Sequence, residues 1–414
     1  SHQPIVKSIE HNRPEFVVFL CSDDTHRAKG SYLQVIGEGN VLRSSRDVPG
    51  PDLPNIVTLA GLTPDRYRVV KIPNVDDLNT CYHEAVRAIQ DLRQRFPDAR
   101  VIVDYTGGTK SMTAGLAAAA IDDGQCEIQV VTGARTNLEK VQDGTEFARQ
   151  LSIGDIYVRR QLELCRLFLQ RFDYAAVVEL LEDAARKHVS QRYLQTLEHW
   201  RLFALAFDAW DRFDHQSARD LLAAAPRSFP LHSRFANVLA RDTGHGFELV
   251  EDLVRNAQRR AAQRRYDDAV GRFYRATELT AQIWLRKRHE IDTADVDLQR
   301  VPEAVRDDLA TQRRSEGEPV RIGLLRAWDL IAAFPEDPLA PVFTEARPRL
   351  LNALEVRNLS LFAHGLRPIT AEDYRRIAEF LEPWLNQAID AATAALGKPR
   401  RDPLPQLPTE LPAD

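Results

Sequence analysis

The sequence predicts an α/β, Rossmann-like N-terminal domain, then an all-α helical connector and a C-terminal helical bundle. Three observations carry this. Up to about residue 150, short apolar runs alternate with amphipathic helical stretches, the signature of a parallel sheet covered by helices. From about Ile156 to Leu396 the apolar residues recur at helical spacing. Between Val101 and Ala120 the run V-I-V-D-Y-T-G-G-T-K-S-M-T-A-G-L-A-A-A-A joins a buried strand, a glycine turn and an Ala-rich helix. The boundaries expected are 1–154 for the α/β domain, 155–245 for the connector, 246–398 for the bundle and 399–414 for a tail.

Phe16–Cys21 is a continuous apolar run that delivers a polar loop, Ser22-Asp23-Asp24-Thr25, at the carboxyl end of a buried strand. Arg43–Pro54, with three prolines and a glycine, reads as a surface loop. Arg68–Ile72 is a second strand and Asp77–Phe96 an amphipathic helix. Val101–Tyr105 and Glu127–Thr132 are further strands flanking a helix over Gly108–Asp122, and a hairpin follows through Glu139–Val141 and Asp143-Gly144. In the helical part, Ala175–Ala185 and Tyr193–Trp210 are helices, Pro226 and Pro230 bracket a break, and Asp242–Gly246 marks another. Phe247–Trp284 reads as one or two long helices. On it Arg255, Arg259, Arg260, Arg264 and Arg265 recur at helical spacing, either as a solvated face or as a surface that tracks RNA phosphates. Thr370-Ala371-Glu372-Asp373 is a capping-box variant opening the last helix. Its positions Tyr374, Ile377, Phe380, Leu381, Trp384, Leu385 and Ile389 belong to a core face. The Pro-rich segment after Gly397 is expected to be disordered.

Composition narrows the function. The chain has 414 residues, 44% hydrophobic, with a formal net charge of -5, so any contact with nucleic acid must be local. Four scattered cysteines without C-x-x-C suggest free thiols in a reducing cytoplasm. No histidine spacing suits a metal, and no apolar run is long enough to span a membrane. The opening Ser1-His2 reads as a tag remnant, and no signal peptide is expected.

Two constellations carry chemistry. In the first, the glycines let a ligand approach the backbone, and the helix start offers unpaired N–H groups and a positive dipole end. Thr106, Thr109, Ser111 and Lys110 add side-chain donors beside Asp104, Gly107 and Gly108. The turn fits neither G-x-x-x-x-G-K-[ST] nor G-x-G-x-x-G. The plain alternative is that the glycines only permit tight packing. Loops Ser22–Thr25, Thr106–Lys110 and Gly133–Asn137 all fall at carboxyl ends of strands, where open α/β sheets bind ligands. The candidate ligand residues are therefore Ser22, Asp23, Thr25, Asp104, Thr106, Gly107, Gly108, Thr109, Lys110, Gly133 and Arg135. In the second constellation, E-V-R-N-L-S-L-F-A-H-G, Arg357 and His364 are spaced for one face of a helix that stops at Gly365, with Asn358 beside the Arg. A histidine can move a proton near neutral pH and an arginine can hold charge developing on a phosphate. Such pairs are also common as structural features.

Together, D-Y-T-G-G-T-K-S-M and R-N-L-S-L-F-A-H-G, in this order, resemble the CARF–HEPN ribonucleases of type III CRISPR systems. The resemblance implies a homodimer whose CARF domain (1–154) binds a cyclic oligoadenylate, tetra-adenylate in preference to hexa-adenylate. It further implies that the HEPN domain (246–398) then cuts single-stranded RNA without metal or cofactor. Arg357, Asn358 and His364 would be its catalytic residues and a 2′,3′-cyclic phosphate its product. Some relatives slowly cleave their own activator. Rival readings are a non-catalytic CARF sensor with a helical interaction module, and a HEPN ribonuclease indifferent to cyclic oligoadenylate.

Overall fold

The computed structural model describes residues 2–26, 28–43, 51–132, 135–136, 140–141, 147–151, 154–186, 189–224, 229–313, 318–360 and 365–412. The chain divides into two compact units, residues 1–162 with 182–197 and residues 163–181 with 198–414.

The first unit opens on a helix that the sequence pattern did not announce, α1 (Gln3–Asn12). Its polar side holds it in place: Ser8 Oγ accepts from buried Gln129 at 2.9 Å, and Asn12 donates back to the Gln129 carboxamide at 3.0 Å. Strand β1 (Val17–Ser22) leads through the short helices α2 (Tyr32–Ile36) and α3 (Ile56–Leu59) to β2 (Tyr67–Ile72). β1 and β2 pair in parallel from Val17↔Tyr67 to Ser22↔Ile72. Helix α4 (Leu78–Arg95) starts on Asp77, whose carboxylate accepts the Thr80 N–H at 2.8 Å. Then come β3 (Ile102–Asp104), α5 (Lys110–Asp123) and β4 (Glu127–Thr132), a second parallel unit in register Ile102↔Glu127. The expected hairpin is present in part as β5 (Arg135–Thr136) and β6 (Lys140–Val141). β7 (Phe147–Leu151) was not foreseen and returns antiparallel to β4. Among the described residues the ladders are β1–β2, β3–β4–β7 and the short β5–β6, where the sequence suggested one continuous sheet. Helices α4 and α5 touch at Gly115, where a Cβ would stand 2.8 Å from the Tyr82 nitrogen.

Helices α6 (Gly154–Leu169), α7 (Tyr174–Ala185) and α8 (Gln191–Asp211) contribute residues to both units. The second unit continues with α9 (His215–Ala224), α10 (Pro230–Arg241), α11 (Glu248–Ala262) and α12 (Tyr266–His289). It ends with α13 (Glu303–Ala310), α14 (Leu324–Ala333), α15 (Ala340–Asn358) and α16 (Ala371–Ala395). The long stretch from Phe247 is thus two helices, broken where Arg264 takes a left-handed φ of 61°. Trp284, Trp328, Phe343 and Leu385 lie in one core built from α11, α12 and α14–α16. The capping box of α16 is complete: Asp373 N–H donates to Thr370 Oγ1 and the Asp373 carboxylate accepts the Thr370 N–H. Of the positions assigned to its core face, six are buried and Tyr374 is half-buried against the same core.

Two expectations for this unit are corrected. Three of the five arginines, Arg255, Arg259 and Arg260, are not a free basic strip, while Arg264 and Arg265 beyond the end of α11 are exposed. Arg259 is 0% exposed, with Nε 2.6 Å from Asp211 and Nη2 3.1 Å from Asp252. Arg260 pairs with Asp211, and Arg255 donates to the Leu404 carbonyl. Helical spacing shows which residues share a face but not whether carboxylates of a neighbouring helix cover it. Nor is residue range 399–412 disordered. Leu404 and Leu407 are buried, Arg400 reaches Glu251 at 2.6 Å, and Tyr174 and Trp200 donate to the carbonyls of Pro408 and Pro412. A proline-rich segment has few backbone states to lose on docking, and its unpaired carbonyls are ready acceptors.

Candidate functional site

The glycine turn is built by its own polar side chains. Asp104 ends β3 and its Oδ1 accepts both the N–H and the hydroxyl of Thr106, at 2.9 and 2.5 Å. The Thr106 oxygen in turn accepts Val131 N–H at 2.7 Å, tying the turn to β4. Thr109 caps α5 by accepting from Met112 N–H, while its own hydroxyl donates to Val75 O at 2.6 Å. Ser111 donates to Asp76 O at 2.9 Å. The hydroxyls of Thr106, Thr109 and Ser111 are therefore committed to the protein's own oxygens, against the expectation that they present donors to a ligand. The open groups are the exposed Gly107, Gly108 and Lys110 and the start of α5, where Lys110 and Ser111 N–H have no partner among the described residues.

The two glycines differ. Gly108 has φ +114°, and a Cβ there would sit 3.2 Å from the Met112 Cβ. Gly107 has no such constraint: a Cβ there would meet only Ile5, at 3.8 Å. Its face is open, so a ligand can come close to the backbone.

The β1 loop closes on itself around Gly30, whose Cβ would stand 2.3 Å from Ser22 O. Ser22 and Ser31 exchange hydrogen bonds at 2.8 to 3.1 Å, and Thr25 bonds to Ala28. Asp24 accepts Gly30 N–H at 2.8 Å, which with Lys29 and the Tyr32 hydroxyl holds its carboxyl below the usual carboxylate range. Asp23 pairs with Lys71 at 3.3 Å, and the Lys71 ammonium lies 3.5 Å over the Tyr32 ring. The segment after β2 connects this loop to the glycine turn: Ile72 O accepts from Asp23 N–H, and Val75 and Asp76 accept from Thr109 and Ser111. The sequence reading did not select residues 73–77. Their only signal was a fourth carboxyl-end loop, after the strand ending at Ile72. Arg135 lies in β5, and Gly133 lies outside the described residues.

In the second unit α15 ends at Asn358, one residue after Arg357. Ser360 N–H closes the last turn on Arg357 O at 3.0 Å, then the chain reverses and Arg367 N–H reaches Leu359 O. Gly365 packs onto that reversal, where a Cβ would stand 2.0 Å from Leu359 O. His364 lies outside the described residues; Ser360 and Gly365, which flank that segment, are hydrogen bonded at 3.3 Å. The Arg357 guanidinium carbon sits 4.3 Å over the Tyr274 ring, and Nη1 donates to Asn358 Oδ1 at 3.2 Å. Asn358 and Tyr274 line a cleft of about 390 Å³ together with Glu355 and Arg326.

All four cysteines are free and buried, and burial pushes the thiols of Cys126 and Cys165 up to about 12. Among the described residues no His, Cys, Asp or Glu cluster is placed to hold a metal, and no helix is long and apolar enough to cross a membrane.

An α/β unit with a glycine turn at its carboxyl edge, followed by a helical bundle with an Arg-Asn pair at the end of α15, has a CARF-then-HEPN layout. Residues 240–388 match the family described as the Csm6 HEPN domain. Over 94% of this chain and 90% of its own, the structure of Enterococcus italicus Csm6 bound to cyclic hexa-2′-fluoro-hexa-dAMP superposes with a TM-score of 0.60 at 10% identity. No curated protein sequence matches. Residues 240–388 thus carry a Csm6-type HEPN domain, and the chain as a whole shares the fold of that structure.

Proposed function

We propose that this chain is a cyclic-oligoadenylate-activated endoribonuclease that cuts single-stranded RNA without a metal. One observation carries the reading: Arg357 and Asn358 stand together at the end of α15, inside the region that matches the Csm6 HEPN domain, with His364 following next to Gly365. The 2′-hydroxyl of one nucleotide attacks the adjacent phosphorus, and the bond to the 5′-oxygen breaks. A 2′,3′-cyclic phosphate and a 5′-hydroxyl are left. His364 moves the proton, Arg357 stabilises the charge on the non-bridging oxygens, and Asn358 orients Arg357. DNA, lacking the 2′-hydroxyl, is refused.

In the first unit the Gly107–Lys110 turn takes the phosphates of the cyclic activator, and in a homodimer one ring meets two copies of it. Tetra-adenylate is the ring expected first. The Enterococcus italicus protein was solved with a hexa-adenylate analogue, so both sizes enter the test. A fluorogenic single-stranded RNA in EDTA is expected to be cut only when one of the rings is added. Cleavage indifferent to activator removes the sensing half of the proposal. Ring binding without cleavage leaves a non-catalytic sensor.

The open face of Gly107 gives the sensing half its own prediction. Gly107→Val adds a side chain that the protein accommodates and a close ligand does not. Stability is expected to stay within about 0.5 kcal/mol, as for ordinary surface substitutions. The activator concentration for half-maximal cleavage is expected to rise at least about tenfold, the cost of one lost phosphate contact. An unchanged activation curve with wild-type stability removes Gly107 from the ligand site.

A further inference from the structure

We infer that Tyr274 is a positioning residue for RNA cleavage, setting the plane of the Arg357 guanidinium; the inference rests on the ribonuclease reading above. Tyr274 comes from α12 and Arg357 from the end of α15, two helices of one packed core. The guanidinium carbon stands 4.3 Å over the ring centroid, within the range where the ring face attracts the cation. Asn358 accepts from Nη1, and buried Nε finds no acceptor among the described residues. Nε is thereby shielded from water without a hydrogen bond of its own.

A side chain with four rotatable bonds at a helix terminus has many places to go. Here the ring limits how far it can tilt and the Asn358 carboxamide limits how far it can spin. The Nη2 edge, for which no hydrogen bond is found among the described residues, is left to face a phosphate. Tyr274 and Asn358 also line the same cleft, so the two groups that hold the arginine border the space beside it. A planar fork meeting two phosphate oxygens depends on its plane, whereas attraction of a point charge does not. Tyr274 is therefore expected to act on the rate constant more than on RNA binding.

The test uses the full chain with activator and single-stranded RNA under single-turnover conditions. Tyr274→Leu is expected to lower the rate constant about ten- to thirtyfold with less than about threefold change in half-saturating RNA, since precise orientation is worth that much or more. Tyr274→Phe keeps the ring face and is expected to recover most of the rate. In an Arg357→Ala background Tyr274→Leu is expected to add less than about twofold, because coupled residues are not additive. Wild-type rates in Tyr274→Leu, with Arg357→Ala inactive, overturn the inference and leave the ribonuclease reading intact. An equal loss in both backgrounds makes Tyr274 merely structural and also overturns it. Full activity in Arg357→Ala defeats the reading itself, and the inference with it.

Discussion

Arg357→Ala is expected to lower the rate constant for RNA cleavage about 100- to 1,000-fold, the usual cost of deleting one group that stabilises transition-state charge. His364→Ala is expected to lose at least as much, because it removes the group that transfers the proton. Neither loss should come from unfolding in the case of Arg357. Its side chain is half-buried at the end of α15, its close contacts are Tyr274 and Asn358, and its buried Nε has no acceptor among the described residues. Truncation therefore deletes an unsatisfied donor along with the stacking contact, and the melting temperature should move little. Arg357→Lys should not restore the rate, since a single ammonium cannot reproduce the planar fork. Single-turnover cleavage with saturating activator measures all three variants. A wild-type rate in Arg357→Ala would remove this residue from the chemistry.

The sequence made the glycine turn legible because its physics is local. A strand, two glycines and a helix start within a dozen residues specify a turn that opens onto a helix N-terminus whatever surrounds them. What stayed hidden was which donors face outward. Thr106 and Thr109 spend their hydroxyls on Asp104 and on Val75, and Val75 comes from another loop that no local pattern identifies. For Arg357 and His364 the helix stops earlier than the spacing suggested: α15 ends at Asn358, His364 lies outside the described residues, and Gly365 packs against Leu359. β7 and α1 escaped because they are held by pairing with β4 and by hydrogen bonds to Gln129, both long-range. The strands and helices with strong periodicity, such as β4 and α16, needed no partner to be seen.

The arginines of α11 teach the same lesson, with a large consequence for stability. Asp252 is fully buried and accepts from Trp210 Nε1 at 3.1 Å, His215 Nε2 at 2.8 Å and Arg259 Nη2 at 3.1 Å. These donors come from α8, α9 and α11, so one carboxylate joins the start of the bundle to the helices before it. Asp252→Ala leaves three buried donors with one acceptor fewer and Arg259 short of a counter-charge. The expected cost is about 3–5 kcal/mol, as when one partner of a buried ion pair is removed. Asp252→Asn keeps the shape and an acceptor oxygen and should cost less, while exposed Asp220→Ala should stay within about 0.5 kcal/mol. All five tryptophans lie in the second unit, so denaturant unfolding followed by tryptophan fluorescence reads this unit alone. If Asp252→Ala unfolds at the wild-type midpoint, Arg259 is not held by charge. The basic spacing along α11 then again needs an explanation outside the core. If it unfolds early, the buried ion pair and not a basic surface accounts for the spacing of Arg255, Arg259 and Arg260.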